Sequence, residues 1–320
     1  MRISQSIRCL QYSVALALGA THGIAAASCG AAFCSLNTDW DTQTSWNDAA
    51  TRLDLRMEFI HQDQLRAGTE KTTLPGMVGE HDEVKTLNRN FIASLSHAFS
   101  PSLNVMLQVP WVARSHSHIF NDVGGPEPES WDFNGLGDVR VLAHLRLDNA
   151  QSSHDSAYGL IGGVKLPTGA INVHNAAGEV AERTLQPGSG STDLIAGGFI
   201  SGRLAQASWH AQLRGQHAVS ERQNYQPGNT ASLDAGMTYP IGAVQALAQI
   251  NLLWRGHDSG AHAEPADSGG KYIYFSPGLA LPVGRDMQIY GLVQLPLLQK
   301  VRGIQLTAEW AATLGLTMRF

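Results

Sequence analysis

The sequence is poor in charge and in long apolar runs, and each shortage excludes a class of protein. Only 15% of its 320 residues are charged, well below the roughly 25% of average soluble domains. Its net charge of −5 gives no support to nucleic-acid binding, so we expect no nucleic-acid partner. Beyond the N-terminal region, no apolar stretch approaches the ~20 residues of a membrane helix. A helical membrane protein is therefore excluded.

The N-terminus has the pattern of an export signal. Arg2 and Arg8 give it a basic start, residues 14–20 form a short apolar core, and residues 25–27 are alanines suited to cleavage. We predict a cleaved signal peptide over residues 1–27, with a short membrane anchor as the alternative.

Cysteine is scarce, with three in the chain. Cys9 would leave with the signal, which places Cys29 and Cys34 in an oxidising compartment. We predict a disulfide between them; binding of a soft metal such as Cu(I) and lipid attachment at Cys29 are the alternatives. Residues 28–50, which contain the pair, are interpreted as a periplasmic lead-in or plug segment.

From residue 51 onward, apolar and polar residues alternate with the two-residue period of β-strands. In residues 304–320 every even-numbered residue is apolar and most odd-numbered ones are polar. Residues 52–59 place four charged side chains on one face. Such charges would be costly against lipid but are stable in a watery lumen.

About twelve such strands follow one another, and their connections alternate between long and short. Short turns are predicted near Pro101, Gln206, Gly242 and Gly284, and one of the long loops over residues 114–134. Outer-membrane barrels have this pattern of periplasmic turns and extracellular loops. We therefore predict an all-β fold, a transmembrane antiparallel up-and-down β-barrel over residues 51–320; a large soluble β protein is the alternative.

The charged faces of these strands predict which side chains line the lumen. Both signs occur, with arginine prominent, and arginine favours anionic and aromatic groups. A cross-linked polar core that stiffens the barrel is the other interpretation. The candidates are Arg52, Asp54, Arg56, Glu58, Asp138, Arg140, His144, Arg146, Arg214, Arg255 and Glu309.

Two histidines, His116 and His118, stand in a His-Ser-His sequence on the predicted 114–134 loop. Histidine is the commonest metal ligand, so both are metal-site candidates. The alternative interpretation is that they are exposed loop residues. No cofactor is predicted.

Three glycine-rich motifs carry a resemblance to a known family: Gly135–Asp138, Lys165–Gly169 and Gln186–Asp193. With the strand pattern from Arg52 to Phe320, they resemble the outer-membrane transporter barrels of the putative MetA-pathway of phenol degradation family. The resemblance implies passage of aromatic compounds and no family-wide catalytic residues. From the residues themselves, we interpret the motifs as structural devices without a substrate role.

An enzyme is the rival class, because outer-membrane phospholipases are barrels of similar size. His217 and Ser220 lie close in sequence, but the phospholipase His-x-Ser-Asn-Gly pattern is absent. We therefore expect no enzyme activity.

The function predicted from these observations is a passive outer-membrane channel for small molecules, with aromatic or anionic solutes favoured. We expect a monomer in the bacterial outer membrane, with lipid and a small-molecule solute as its partners. The alternative is a non-conducting barrel that serves as a scaffold or a metal-binding surface protein.

Overall fold

The computed structural model describes residues 51–73, 76, 78, 81–148 and 156–320. The predicted signal peptide, the lead-in segment and the Cys29–Cys34 pair lie outside these residues. Within the described ranges, no helix is long and apolar enough to cross a membrane. The strands are β1 (Thr51–Ala67), β2 (Glu70–Lys71), β3 (His81–Ser100), β4 (Leu103–Asp122), β5 (Gly125–Leu136), β6 (Arg140–Arg146), β7 (Ser156–Lys165), β8 (Asp193–Leu204), β9 (Ala207–Ala218), β10 (Thr230–Ile241), β11 (Val244–Arg255), β12 (Gly270–Val283), β13 (Met287–Val301) and β14 (Ile304–Arg319).

The strands close into one antiparallel barrel. Each wall strand pairs with its neighbours in chain order, and β1 closes the sheet against β14 from Arg52↔Arg319 to Ala67↔Ile304. β5 and β6 both pair with β4, one beyond the other, and so occupy a single position in the wall. β2 pairs antiparallel with the last two residues of β1 and adds no further position to the wall. The predicted barrel of about twelve strands is confirmed.

The two faces of the wall differ as the alternation predicts. Side chains such as Leu55, Leu160 and Leu213 are exposed on the outside, where hydrocarbon would cover them. The charged side chains of Arg56 and Glu58, which alternate with outward-facing residues along β1, are buried on the inner face. β1 begins and β14 ends at the end of the barrel that carries the short turns, which is the periplasmic end in outer-membrane barrels.

The prediction of a long loop over residues 114–134 is wrong. β4 continues to Asp122 and joins β5 through Val123 and Gly124 in a tight hairpin. Pro126 and Pro128 suggested a loop because proline lacks an N–H for a ladder. β5, however, pairs with β4 alone and has one edge without a strand among the described residues, and prolines are tolerated on such edges.

The prediction of uninterrupted alternation over residues 304–320 is also wrong. Trp310 pairs with His61 and Ala308 with Gln62, so Glu309 is an extra residue in β14. A bulge of this kind exchanges the two faces of a strand. Leu306 on one side of the bulge is 2% exposed, whereas Trp310 on the other side is 42% exposed. Leu306 therefore packs inside the barrel and Trp310 outside.

Candidate functional site

The long connection between β7 and β8, residues 166–192, lies inside the barrel, and we call it the inner loop. Its Ala181 and Leu185 are almost fully buried in a cluster that includes Trp131 of β5 and Leu306 of β14. The indole Nε1 of Trp131 also donates to the Glu179 carbonyl at 3.1 Å. The inner loop therefore packs against the inner face of the wall on the side of the long connections.

A buried polar group, here called the anchor cluster, holds the inner loop at both ends. Asp138 accepts hydrogen bonds from the amides of Gly169 at 3.0 Å and Ser189 at 2.8 Å. Lys165 Nζ lies 3.3 Å from Asp138 and 3.0 Å from Asp193. These residues come from all three glycine-rich motifs, so the motifs meet in space although they are far apart in sequence.

Glycine is required where the two ends of the inner loop cross. A Cβ added to Gly169 would lie 2.5 Å from the Gly188 Cα, and one added to Gly188 would lie 2.5 Å from the Gly169 carbonyl carbon. No side chain fits at those separations because both contacts are with backbone. The glycines of the two motifs thus allow the loop ends to close on the anchor cluster.

A cavity of about 340 Å³ lies in the lumen beside the anchor cluster. Six of the predicted lumen candidates line it: Arg56, Glu58, Asp138, Arg140, Arg214 and Arg255. Its charged lining consists of seven cations, Arg56, Arg114, Arg140, Lys165, Arg183, Arg214 and Arg255, and three anions, Glu58, Asp138 and Asp193. The cavity is therefore cationic by four charges, although the whole chain is anionic.

Sequence reasoning missed three of these cations. Arg114 stands at the start of the predicted 114–134 loop, Arg183 lies between the second and third glycine-rich motifs, and Lys165 belongs to a motif interpreted as structural. The Arg183 guanidinium lies over the Tyr225 ring, 5.0 Å from its centroid. This cation–π geometry displays the kind of contact that an aromatic solute could make with a lumen arginine.

Four other predicted candidates lie outside this cavity lining. Arg52 donates to Ser96 Oγ at 3.4 Å, and Asp54 accepts from the Tyr290 hydroxyl at 2.8 Å. His144 is 2% exposed, with its ring edge-on to Phe199 at 6.0 Å.

Arg146, the fourth, binds the Asp148 carboxylate through Nε at 2.7 and 2.8 Å. This hydrogen bonding holds the pKa of Asp148 below its usual range. Arg146 therefore holds Asp148 beside the end of β6.

Glu309 differs in surroundings from the other candidates. As the bulge residue of β14 it forms an ion pair with Lys71 of β2, and both side chains are more than half exposed. The alternation that placed it on the lumen face is interrupted at this residue.

A second cavity of about 550 Å³ opens among the short turns at the periplasmic end. Arg203, Arg285 and Arg319 line it with a single acidic residue, Asp286. Positive charge therefore predominates in both cavities.

His116 and His118 are not exposed loop residues, and that interpretation is wrong. Both lie within β4, and their relative exposures are 3% and 2%. Glu83, buried to the same degree, lies 3.5 Å from His116 Nε2.

His217 and Ser220, the pair considered for catalysis, contact other residues. His217 bonds to Asn229, and the Ser220 hydroxyl accepts from the Thr192 amide.

Glu182 of the inner loop and Glu264 of the loop between β11 and β12 have raised pKa values. Burial, together with the charges of Glu83 and Glu129, raises the pKa of Glu182 well above its usual range. Burial and the charge of Glu182 raise the pKa of Glu264 to about 9. Glu182 and Glu264 are therefore neutral carboxylic acids at neutral pH, unlike the ionised carboxylates that pair with cations in the cavity.

Comparison with known proteins agrees with this architecture. The crystal structure of the COG4313 outer membrane channel from Pseudomonas putida F1 superposes with a TM-score of 0.65 at 15% identity, covering 89% of this chain and 99% of that one. The Pseudomonas putida toluene transporter TodX gives a TM-score of 0.44 at 8% identity, covering 85% and 90%, which is too low to support an argument. No curated protein matches the sequence.

The fold places this protein in the class of bacterial outer-membrane β-barrels. Residues 99–307 match the model of the family described as putative MetA-pathway of phenol degradation. The chain belongs to that family, as the three motifs indicated.

Proposed function

We propose that this protein is a passive outer-membrane channel for small solutes that combine an aromatic ring with an anionic group. The observation that carries the proposal is the cationic cavity of about 340 Å³, a volume suited to a compact ligand. Arginine binds carboxylates and also packs against aromatic faces. The phenol named in the family's description agrees with the aromatic part of this solute class, and the channel named in the COG4313 structure agrees with passage through the barrel.

Solute flux into liposomes tests the proposal. We expect proteoliposomes to admit benzoate faster than benzylamine, which has a similar ring but carries a positive charge. Replacing both Arg140 and Arg214 with glutamine should lower benzoate flux about tenfold, the change that 1.4 kcal/mol of lost attraction produces. Arg222→Gln, which alters an exposed loop arginine, is the matched control and should leave the flux unchanged.

The competing function is a non-conducting scaffold or metal-binding surface protein. Equal and negligible entry of both compounds into liposomes with a verified folded barrel would favour that alternative. Faster entry of benzylamine would instead contradict the role assigned to the lumen arginines.

A further inference from the structure

A compact group of metal-ligating side chains lies at the long-loop end of the lumen, on β3 and β4. The ligand atoms of Glu83, His116 and His118 all lie within 4.8 Å of one another, and all three residues are buried. His116 Nε2 is 3.4 Å from His118 Nδ1 and 3.5 Å from the Glu83 carboxylate. Zn–N bonds of 2.0–2.1 Å place neighbouring tetrahedral ligands about 3.4 Å apart. The spacing therefore suits one metal ion.

The partners of both histidines direct the correct ring nitrogens toward this point. His116 Nδ1 lies 2.9 Å from Thr86 Oγ1, and His118 Nε2 lies 2.6 Å from the Glu129 carboxylate. If these two nitrogens donate, Nε2 of His116 and Nδ1 of His118 carry lone pairs, and those are the two atoms that face each other. Outer partners of this kind orient histidines in metal sites.

A bulge in β3 aims the third ligand. Glu83 pairs with His118 and Lys85 with Ser117, which leaves Val84 as an extra residue. Without it, alternation from inward-facing Thr86 would turn Val84 to the interior and Glu83 outward. Bulges re-aim side chains in this way. Val84 is instead 38% exposed and Glu83 fully buried.

We propose that Glu83, His116 and His118 bind one divalent transition-metal ion of the zinc and copper class. Imidazole nitrogen suits this class, whereas magnesium and calcium prefer oxygen ligands. The Glu129 carboxylate, which lies 2.6 Å from His118 Nε2, adds negative charge that favours a cation. The site is separate from the cationic cavity, so it does not depend on the proposed solute.

Isothermal titration of the purified full-length barrel, with any polyhistidine tag removed, tests the assignment. We expect Zn²⁺ to bind at one ion per chain and Mg²⁺ to give no heat. His118→Gln and Glu83→Gln should each weaken Zn²⁺ binding at least tenfold. His174→Ala, which alters an exposed loop histidine, is the control and should not change the affinity.

A spectroscopic measurement keeps the test independent of heat effects. The Trp131 ring lies 4.7 Å from the His118 ring, centroid to centroid, so bound Cu²⁺ should quench its fluorescence. Trp131→Phe should remove most of that quenching. The folded state of each variant is checked by its heat-modifiable migration in gel electrophoresis.

His81 discriminates between two possible ligand sets, because His81, His118 and Glu129 also form a close group. We expect His81→Ala to change Zn²⁺ affinity less than threefold. A loss of binding in His81→Ala with full binding in Glu83→Gln would overturn the assignment. Unchanged affinity in folded His118→Gln, or loss of the heat in His174→Ala, would overturn the site itself.

Discussion

The two halves of the barrel wall differ in the regularity of their strands. β8 to β11 have 12 residues each and pair without a register shift. β3 and β4 have 20 residues each, and the wall from β14 through β1 to β3 contains bulges at Glu309 and Val84. A tilted strand needs only about 9–11 residues to cross the membrane. The regular half therefore matches what crossing requires, and the irregular half exceeds it.

The irregular half is where bulges turn individual side chains toward the barrel interior. The bulge at Val84 turns Glu83 toward His116, and the bulge at Glu309 turns Leu306 onto the inner loop. Regular alternation can produce only a polar lining. The bulges at Val84 and Glu309 each point one side chain at a particular partner.

The largest expected effect concerns the anchor cluster, which joins the inner loop to the wall. Lys165→Met should lower the free energy of unfolding by about 3–5 kcal/mol, because it leaves the buried carboxylates of Asp138 and Asp193 without their cation. Urea unfolding in lipid vesicles, followed by tryptophan fluorescence, measures this loss.

The exposed ion pair between Lys71 and Glu309 provides the matched comparison. Lys71→Met should cost no more than about 1 kcal/mol, as is usual for exposed pairs. Equal losses in the two variants would show that burial of the anchor cluster does not govern stability.

A smaller effect concerns pH and the loop that joins β11 to β12, which contains Glu264. The folded-state pKa of Glu264, about 9, lies above its ordinary value of 4.5. The stability that its neutral form contributes is therefore fully present below pH 4.5 and is lost as pH rises through about 9. Local opening lets water reach the carboxylate, so we expect a loss on the order of 1 kcal/mol.

Hydrogen exchange of this loop between pH 5 and pH 9 measures that effect once the intrinsic exchange rates are corrected. Protection should decrease as pH rises, and Glu264→Gln should flatten the dependence. A loop more protected at pH 9 than at pH 5 would reverse the sign and contradict the buried neutral carboxyl.

The regular half of the wall was predictable from sequence because alternation alone determines it. The short turns predicted near Gln206 and Gly242 are the ones that join β8 to β9 and β10 to β11. His116 and His118 were recognisable as metal-ligand candidates, but their burial in β4 beside Glu83 was not predictable, because prolines and glycines near residues 124–128 resembled a loop. A single extra residue such as Val84 has no sequence signal of its own.

Aromatic residues illustrate the same limit. Tyr272 and Tyr274 lie near the start of β12, and Trp254 lies near the end of β11. Aromatic residues near strand ends are typical of the outer girdles of membrane barrels. Trp254 is exposed, but both tyrosines are buried and stack on each other with ring centroids 6.2 Å apart. Their face depended on the register of β12, which nearness to a strand end does not specify.

The reversal potential across a planar bilayer containing the folded protein, measured under a KCl gradient, tests the central claim most directly. Seven cations against three anions in the lumen cavity predict a current carried mainly by chloride. A potential of the opposite sign, with potassium carrying the current, would contradict the proposal that the positively charged lumen favours anions.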